Sequence, residues 1–431
     1  MKHTITIKNH TFSFDIGFIG ILILFGLTSF FSLYNAFNLI SDGSGLGYLG
    51  RQIMWYIIGF GALTIITMIQ NEVIYRYIRK IYNFLLICLA YLFISSLLIS
   101  VTGNTNIHLP FAPSINGSVS WFQFPIVGSF QPSEFIKIVL IIMTSQTINI
   151  HQDKYPEQTW QNDLKLLIEL AKILLPPLIL IFLQPDTGLC LIICFNTLVL
   201  LMCSGIKKQY VWILAALIIL FIGGFFFLYF QFPDVLSSFI SAYRLQRIES
   251  WLDPESYITG SSNQLYTALL SLGSAGLTGY GLQANIIAIP EAHTDFIFAA
   301  IGQCFGLLGT TFILFICMLM DLYLCKIAYN TKNKTDRFIV IGIISMLLYQ
   351  QIQNLGMIVG LLPITGITLP LISYGGSSIL SYFIAFGIIM NISPLSKNNI
   401  EIHPPKFKKF KKIKRTKKSR LSDTILKSRQ Y

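Results

Sequence analysis

Residues 81–101 read IYNFLLICLAYLFISSLLISV, without one Asp, Glu, Lys or Arg. As a helix rising about 1.5 Å per residue, that run covers roughly 30 Å, the thickness of a bilayer's hydrocarbon core. Comparable apolar runs recur on both sides of it, near 14–37, 53–70, 133–149, 165–183, 187–204, 211–231, 292–325, 338–362 and 370–392. The spacing therefore predicts an all-α polytopic membrane protein of about ten transmembrane helices. Two runs are less purely apolar. The one at 133–149 opens with Glu134 and Lys137, and the one at 165–183 carries Lys172 and the helix-kinking pair Pro176-Pro177. The run at 292–325 is long enough to include an interfacial turn. Composition agrees: of 431 residues, 54% are hydrophobic and 12% charged, where a soluble domain is about a quarter charged. The first run, from Phe14, is followed by no small-residue cleavage site, so it reads as a span rather than a cleaved signal.

Lys and Arg collect on the cytoplasmic side of membrane proteins, which orients the chain. With the N-terminus inside, the inner segments hold thirteen Lys and Arg before the tail, while the outer segments hold three, Arg51, Arg244 and Arg247. The expected topology is N-in and C-in, with a long extracellular loop after the seventh span. Residues 1–395 form the membrane domain, and 396–431 read as a basic, disordered cytoplasmic tail. The Lys/Arg run at 406–420 supplies much of the net charge of +12. Such a run binds anionic headgroups at about 1 kcal/mol per basic residue near the surface, so the charge calls for anionic membrane lipids as partners and for no nucleic acid. The seven cysteines lie in or beside apolar runs with no Cys-x-x-Cys pair; neither a disulfide framework nor a zinc site is indicated. Nucleotide loops, Gly-x-Ser-x-Gly elbows and His-Glu-x-x-His helices are absent.

With this orientation the least lipid-like residues converge on the outer side. Gln131-Pro132-Ser133-Glu134 and Lys137 open the fourth span, and Gln184-Pro185-Asp186 forms the tight turn between the fifth and sixth. Glu134 and Lys137 share a helix face and can pair, either as a lock between helices or lining a polar cavity. Asp186 is also a good turn residue in its own right. Arg244, Arg247, Asp253 and Glu255 occupy the long loop. Pro254 biases Asp253 to an extended conformation, and Trp251 and Leu252 can hold its carboxylate at headgroup level. His293 and Asp295 are either an acid–base pair or helix caps.

The motifs run in order as Asn116-Gly117 with Trp121, Gln131-Pro132-Ser133-Glu134-x-x-Lys137, Gln184-Pro185-Asp186-x-Gly188 and Trp251-Leu252-Asp253-Pro254-Glu255. Gly276-x-x-Gly279-x-Gly281, Pro290-Glu291-x-His293-Thr294-Asp295 and Asn354-x-Gly356-Met357 follow. Gly360-Leu361-Leu362-Pro363 leads to Pro370, and Ser373-Tyr374-Gly375-Gly376-Ser377-Ser378 closes the series. Together they resemble the SEDS proteins (shape, elongation, division and sporulation), the group of RodA, FtsW and SpoVE, with the elongation type RodA the nearer likeness. The resemblance implies a peptidoglycan glycosyltransferase that polymerises lipid II at the outer face of the bacterial cytoplasmic membrane, beside a class B penicillin-binding protein that cross-links the strands. It places Asp253 on the family's essential aspartate and Glu134, Lys137 and Asp186 around the central cavity. On this reading Asp253 is the general base toward the acceptor sugar, and Arg244, Arg247 or Lys137 holds the diphosphate of the leaving lipid. A divalent cation, Mg²⁺ or Mn²⁺, is compatible with a carboxylate plus substrate phosphates, although no ligand cluster in the sequence demands one. A lipid II flippase or a catalytically silent scaffold are the rival readings. The chain departs from the family pattern at Ser120, where Arg is usual, and at Gln303-Cys304, where a Glu-Glu pair is usual.

Overall fold

The computed structural model describes residues 2–7, 10–39, 45–115, 118–124, 128–157, 159–235, 242–256 and 263–393. The basic tail and Asn116-Gly117 lie outside the described residues. Helices occupy all ten expected runs: α1 (Ile16–Ala36), α2 (Gly45–Met68), α3 (Asn71–Thr102), α4 (Pro132–Lys154), α5 (Trp160–Leu183), α6 (Thr187–Cys203), α7 (Lys208–Gln231), α10 (Ile297–Asn330), α11 (Lys334–Ile358) and α12 (Gly376–Ile392). Among the described residues, seven are long and apolar enough to cross a membrane, and α6 and α12 are shorter apolar helices. Between α7 and α10 run two shorter helices, α8 (Ala242–Leu252) and α9 (Asn263–Ser274). Two small hairpins join them: β1 (Lys2–Ile7) with β2 (His10–Asp15), and β3 (Phe122–Phe124) with β4 (Gly128–Phe130).

Local chemistry sets the helix ends. Asp15, Thr159, Asp186 and Asn333 each accept from a backbone N–H of the first turn that follows, as N-caps do. α3 stops at Gly103, whose left-handed backbone closes onto Ile99 O. It starts ten residues before the apolar run, and tertiary hydrogen bonds hold that extension: Asn71 Nδ2 donates to Ile388 O and Tyr75 OH to Asp336 Oδ1. α5 passes through Pro176 and Pro177 without ending, as helices in apolar surroundings do when neighbours satisfy the freed groups.

α10 is broken at Gly306 (φ 58°, ψ −147°). The Gly276-x-x-Gly279-x-Gly281 segment repairs the break: Leu307 N–H donates to Gly276 O (3.0 Å), Leu308 N–H to Leu277 O (3.1 Å), Tyr280 N–H to Gln303 O (2.9 Å) and Gly281 N–H to Cys304 O (2.9 Å). A Cβ on Gly306 would stand 2.6 Å from Gly276 O and Gly279 N. Glycine is required there because two backbones bond face to face.

α4 and α11 are the most enclosed spans; α4 packs on α3, α5, α6 and α11, and α11 also on α10. α2 lies closest against α12, where a Cβ on Gly59 would meet Phe383 and one on Gly387 would meet Ile66. Small residues of this kind let membrane helices approach closely. Between α11 and α12 the chain is irregular yet mostly buried from Ile364 to Ser373. Its carbonyls must find donors inside the protein. Asn354 Nδ2 donates to Ile367 O, Tyr56 OH to Leu371 O, Ser29 Oγ to Ile372 O and Gln52 Nε2 to Ser373 O.

Candidate functional site

Pro132 at the start of α4 presets the first helical turn, and Glu134 takes the position where the helix dipole favours a carboxylate. One turn on, Lys137 Nζ lies 2.5 Å from Glu134 Oε2. The residues are 2% and 7% exposed, so this is a buried ion pair rather than a surface one. Tyr382 of α12 faces the ammonium, with its ring centroid 4.7 Å from Nζ, and its hydroxyl donates to Gln350 Oε1 of α11 (3.0 Å). Asp186 joins from the α5–α6 turn. Its Oδ1 accepts from Leu189 N–H (3.3 Å) and its Oδ2 from Gln131 Nε2 (3.0 Å). Burial pushes the Asp186 carboxyl up to about 6, against the opposing Leu189 N–H and with Glu134 adding to the rise. Gln131 N–H in turn donates to Ser377 Oγ (3.1 Å) at the start of α12.

Residues far apart in sequence are thereby brought into one polar cluster at the end of the bundle that the charge count places outside. Ser133 Oγ and Thr365 Oγ1 are buried and have no hydrogen-bond partner among the described residues. Ser133 precedes Glu134, and the Thr365 carbonyl lies 3.2 Å from where a Cβ on Gly188 would stand, beside the turn that carries Asp186. Unpaired buried hydroxyls at this place leave hydrogen-bonding capacity for water or a ligand.

Asp253 sits apart. It follows α8, and its N–H closes the last turn onto Glu249 O (2.9 Å). Its Oδ2 accepts from Ser256 Oγ (2.6 Å) and its Oδ1 from Ser256 N–H (3.3 Å), the local turn expected of an Asp before Pro. The residue is exposed. Trp251 anchors the turn by donating from Nε1 to Gly360 O (2.9 Å), so the carboxylate rides on a fixed support. No hydrogen bond or ion pair among the described residues joins Asp253 to Glu134, Lys137 or Asp186. Arg244 and Arg247 lie on α8, and their side chains fall outside the described residues. His293 packs against Tyr48 with its ring tilted by 43° and the centroids 4.4 Å apart, and Asp295 O accepts from Asn354 Nδ2.

The departures at Ser120 and Gln303 have structural partners. Ser120 Oγ donates to Gln184 O (3.2 Å), steadying the turn that carries Asp186. Gln303 is 0% exposed; its Oε1 accepts from Ile286 and Ile287 N–H (2.9 and 2.8 Å), and its Nε2 donates to Ile287 O (3.1 Å). Only an amide provides both halves of that match. Tyr382 and Gln350 were invisible to sequence reasoning. The available signal was two polar side chains inside otherwise apolar spans, which usually face the bundle interior.

No three His, Cys, Asp or Glu side chains gather among the described residues. Glu134 is paired with Lys137, and Asp186 and Asp253 each accept hydrogen bonds at both oxygens.

Over residues 13–398 the chain matches the model of the cell cycle protein family of FtsW, RodA and SpoVE. It is 30% identical over 379 residues to the probable peptidoglycan glycosyltransferase FtsW of Coxiella burnetii, covering 84% of this chain and 92% of that protein. It is 29% identical over 356 residues to the peptidoglycan glycosyltransferase MrdB of Escherichia coli, covering 82% of this chain and 87% of that one. In fold it is similar to a chain of a peptidoglycan synthase complex that coordinates polymerization and crosslinking, with a TM-score of 0.64 at 23% identity, covering 88% of this chain and 97% of that one. A match running from the start of α1 to beyond the end of α12 takes in every span described above: the chain belongs to the FtsW, RodA and SpoVE family of multi-pass membrane proteins.

Proposed function

We propose that this protein polymerises lipid II into glycan strands at the outer face of the bacterial cytoplasmic membrane, with Asp253 as general base. As a member of its family it is a peptidoglycan glycosyltransferase. The observation that carries the finer reading is Asp253 itself, an exposed carboxylate on a turn tethered through Trp251 to Gly360. In the proposed step Asp253 takes the proton of the acceptor sugar hydroxyl as that oxygen bonds the donor's anomeric carbon. The bond from that carbon to the diphosphate oxygen breaks, and undecaprenyl diphosphate leaves with the electron pair and needs no proton. One carboxylate therefore suffices, unlike the paired acids of glycoside hydrolysis. Arg244, Arg247 or Lys137 supplies positive charge for the diphosphate, and Glu134 and Asp186 fix Lys137 and Gln131. A divalent cation bound at Asp253 and the substrate phosphates would neutralise the same leaving group.

The partner in this reading is a class B penicillin-binding protein, in keeping with the synthase complex that shares the fold. Assignment to elongation rests on the RodA-like Asp253-Pro254-Glu255 and His293-Thr294-Asp295 stretches; a role in division is the alternative. The test is polymerisation of labelled lipid II by the protein co-expressed with its cognate transpeptidase, beside Asp253→Asn. The variant is expected to fold and to lose activity by about 100- to 10,000-fold. Equal product from both would remove Asp253 from the chemistry. Lipid II translocation without glycan, unchanged in the variant, would favour the flippase.

A further inference from the structure

At the outer end of α2 four side chains build a partly exposed platform. The Arg51 guanidinium carbon lies 4.8 Å from the Tyr48 ring centroid. Tyr48 meets His293 at 4.4 Å and Tyr374 edge-on at 4.9 Å. Tyr374 N–H donates to His293 O (2.9 Å), so the loops before α10 and before α12 are stitched together beneath the rings. Gln52, the next residue on α2, reaches the same strip from its buried side, donating to Ser373 O (3.1 Å). The platform is therefore held from below, with the Arg51 cation exposed and the three rings half-buried.

Arg51 is exposed and donates from Nε to Gly47 O (3.2 Å); among the described residues it pairs with no carboxylate. Packing alone does not call for this arrangement. A cation over a ring at an exposed site is worth about 0.5–1 kcal/mol. A planar guanidinium beside an aromatic face does suit a ligand that is part sugar and part anion: the ring packs the apolar face of a pyranose, and the fork takes two oxygens of a phosphate or carboxylate.

The platform is continuous with the polar cluster. One turn further along α2, the Trp55 indole fills the space a Cβ on Gly376 would need and stands 3.9 Å from where one on Gly128 would lie. Gly128 opens β4, which leads to Gln131 and so to Asp186. Ser377, beside Gly376, binds both Ser129 O and Gln131 N–H.

We propose that Arg51, with the Tyr48–His293–Tyr374 platform, is a further substrate subsite that holds an anionic saccharide, the sugar on the rings and its acidic group on the guanidinium. This rests on the polymerase reading above. Two sources supply that chemistry, the incoming lipid-linked disaccharide and the growing strand.

The test uses the full chain with its transpeptidase in nanodiscs and fluorescent lipid II as probe. Direct binding and glycan length are both read for wild type, Arg51→Gln, Arg51→Lys and Tyr48→Leu. If the platform holds the incoming disaccharide, Arg51→Gln and Tyr48→Leu weaken lipid II binding by about tenfold or more. If it holds the growing strand, both shorten the glycans at unchanged lipid II affinity. Arg51→Lys restores part of either effect, and melting temperatures stay at the wild-type value. Binding and glycan length both within twofold of wild type in Arg51→Gln would overturn the subsite, as would losses that track a lowered melting temperature. Because binding is read without turnover, a wild type that binds lipid II but makes no glycan would defeat the polymerase reading and leave the subsite standing.

Discussion

Glu134 and Lys137 invite a double-mutant cycle, because a lock between helices and a substrate-binding pair predict different patterns. Glu134→Gln leaves an ammonium that is 2% exposed with only the Tyr382 ring and neutral dipoles for compensation. Lys137→Met leaves a carboxylate that is 7% exposed. Removing one partner of a buried pair typically costs about 3–5 kcal/mol, because the remaining charge is uncompensated, whereas replacing both is far milder. Each single variant is therefore expected to lose about 3–5 kcal/mol and the double variant less than either single, so that the coupling exceeds the cost of one single replacement. Denaturant unfolding in detergent reads the stabilities, and lipid II polymerisation reads the function. The double variant should recover most of the stability and none of the activity, since the cation proposed to meet the diphosphate is gone. Additive losses in the two singles would refute the buried pair. Full activity in the double variant would show that the pair only locks helices together.

Two further outcomes follow from the same geometry. The folded protein holds the Asp186 proton up to about pH 6, against 3.8 for the free side chain. It therefore binds that proton more tightly than the unfolded chain does between those values, and stability should fall as pH rises through the window and then level off. Melting temperatures of wild type and Asp186→Asn from pH 4 to 7.5 should differ in slope there, and a pH-independent offset would contradict the assignment. Gln303→Glu turns the amide that donates to Ile287 O into an acceptor facing an acceptor in a fully buried position. It should cost about 1–3 kcal/mol and expose the 284–287 loop to limited proteolysis; an unchanged cleavage pattern would refute the role of the amide.

The spans were legible because each must be apolar along its own length to lie in lipid, a property that needs no knowledge of neighbours. Boundaries were less so. The run expected at 370–392 becomes helix only from Gly376, since Pro370 to Gly375 take their hydrogen bonds from Gln52, Tyr56 and Ser29 on other helices. Within the run at 292–325 the helix breaks at Gly306, and the strip that repairs the break, Gly276 to Gly281, lies outside that run. Glu134 with Lys137 could be paired from their spacing. That Asp186 shares their site through Gln131, and that Tyr382 faces the ammonium, required the packing of α4, α6 and α12.

Taken alone, the amino-acid order determined the class and the runs that become helices, and it set the expectation of their orientation and of an outer position for the charged residues. These follow from hydropathy and from the asymmetry of Lys and Arg, which are sums over local chain. The tertiary structure decided which outer residues meet. It buried Glu134 with Lys137, set Asp253 on a separate exposed turn, and packed Arg51, Tyr48, His293 and Tyr374 together. Such contacts depend on how helices hundreds of residues apart in the chain approach one another. That approach is governed by a missing Cβ at Gly376 or Gly188 and by single hydrogen bonds across segments, and neither leaves a periodic trace in one sequence.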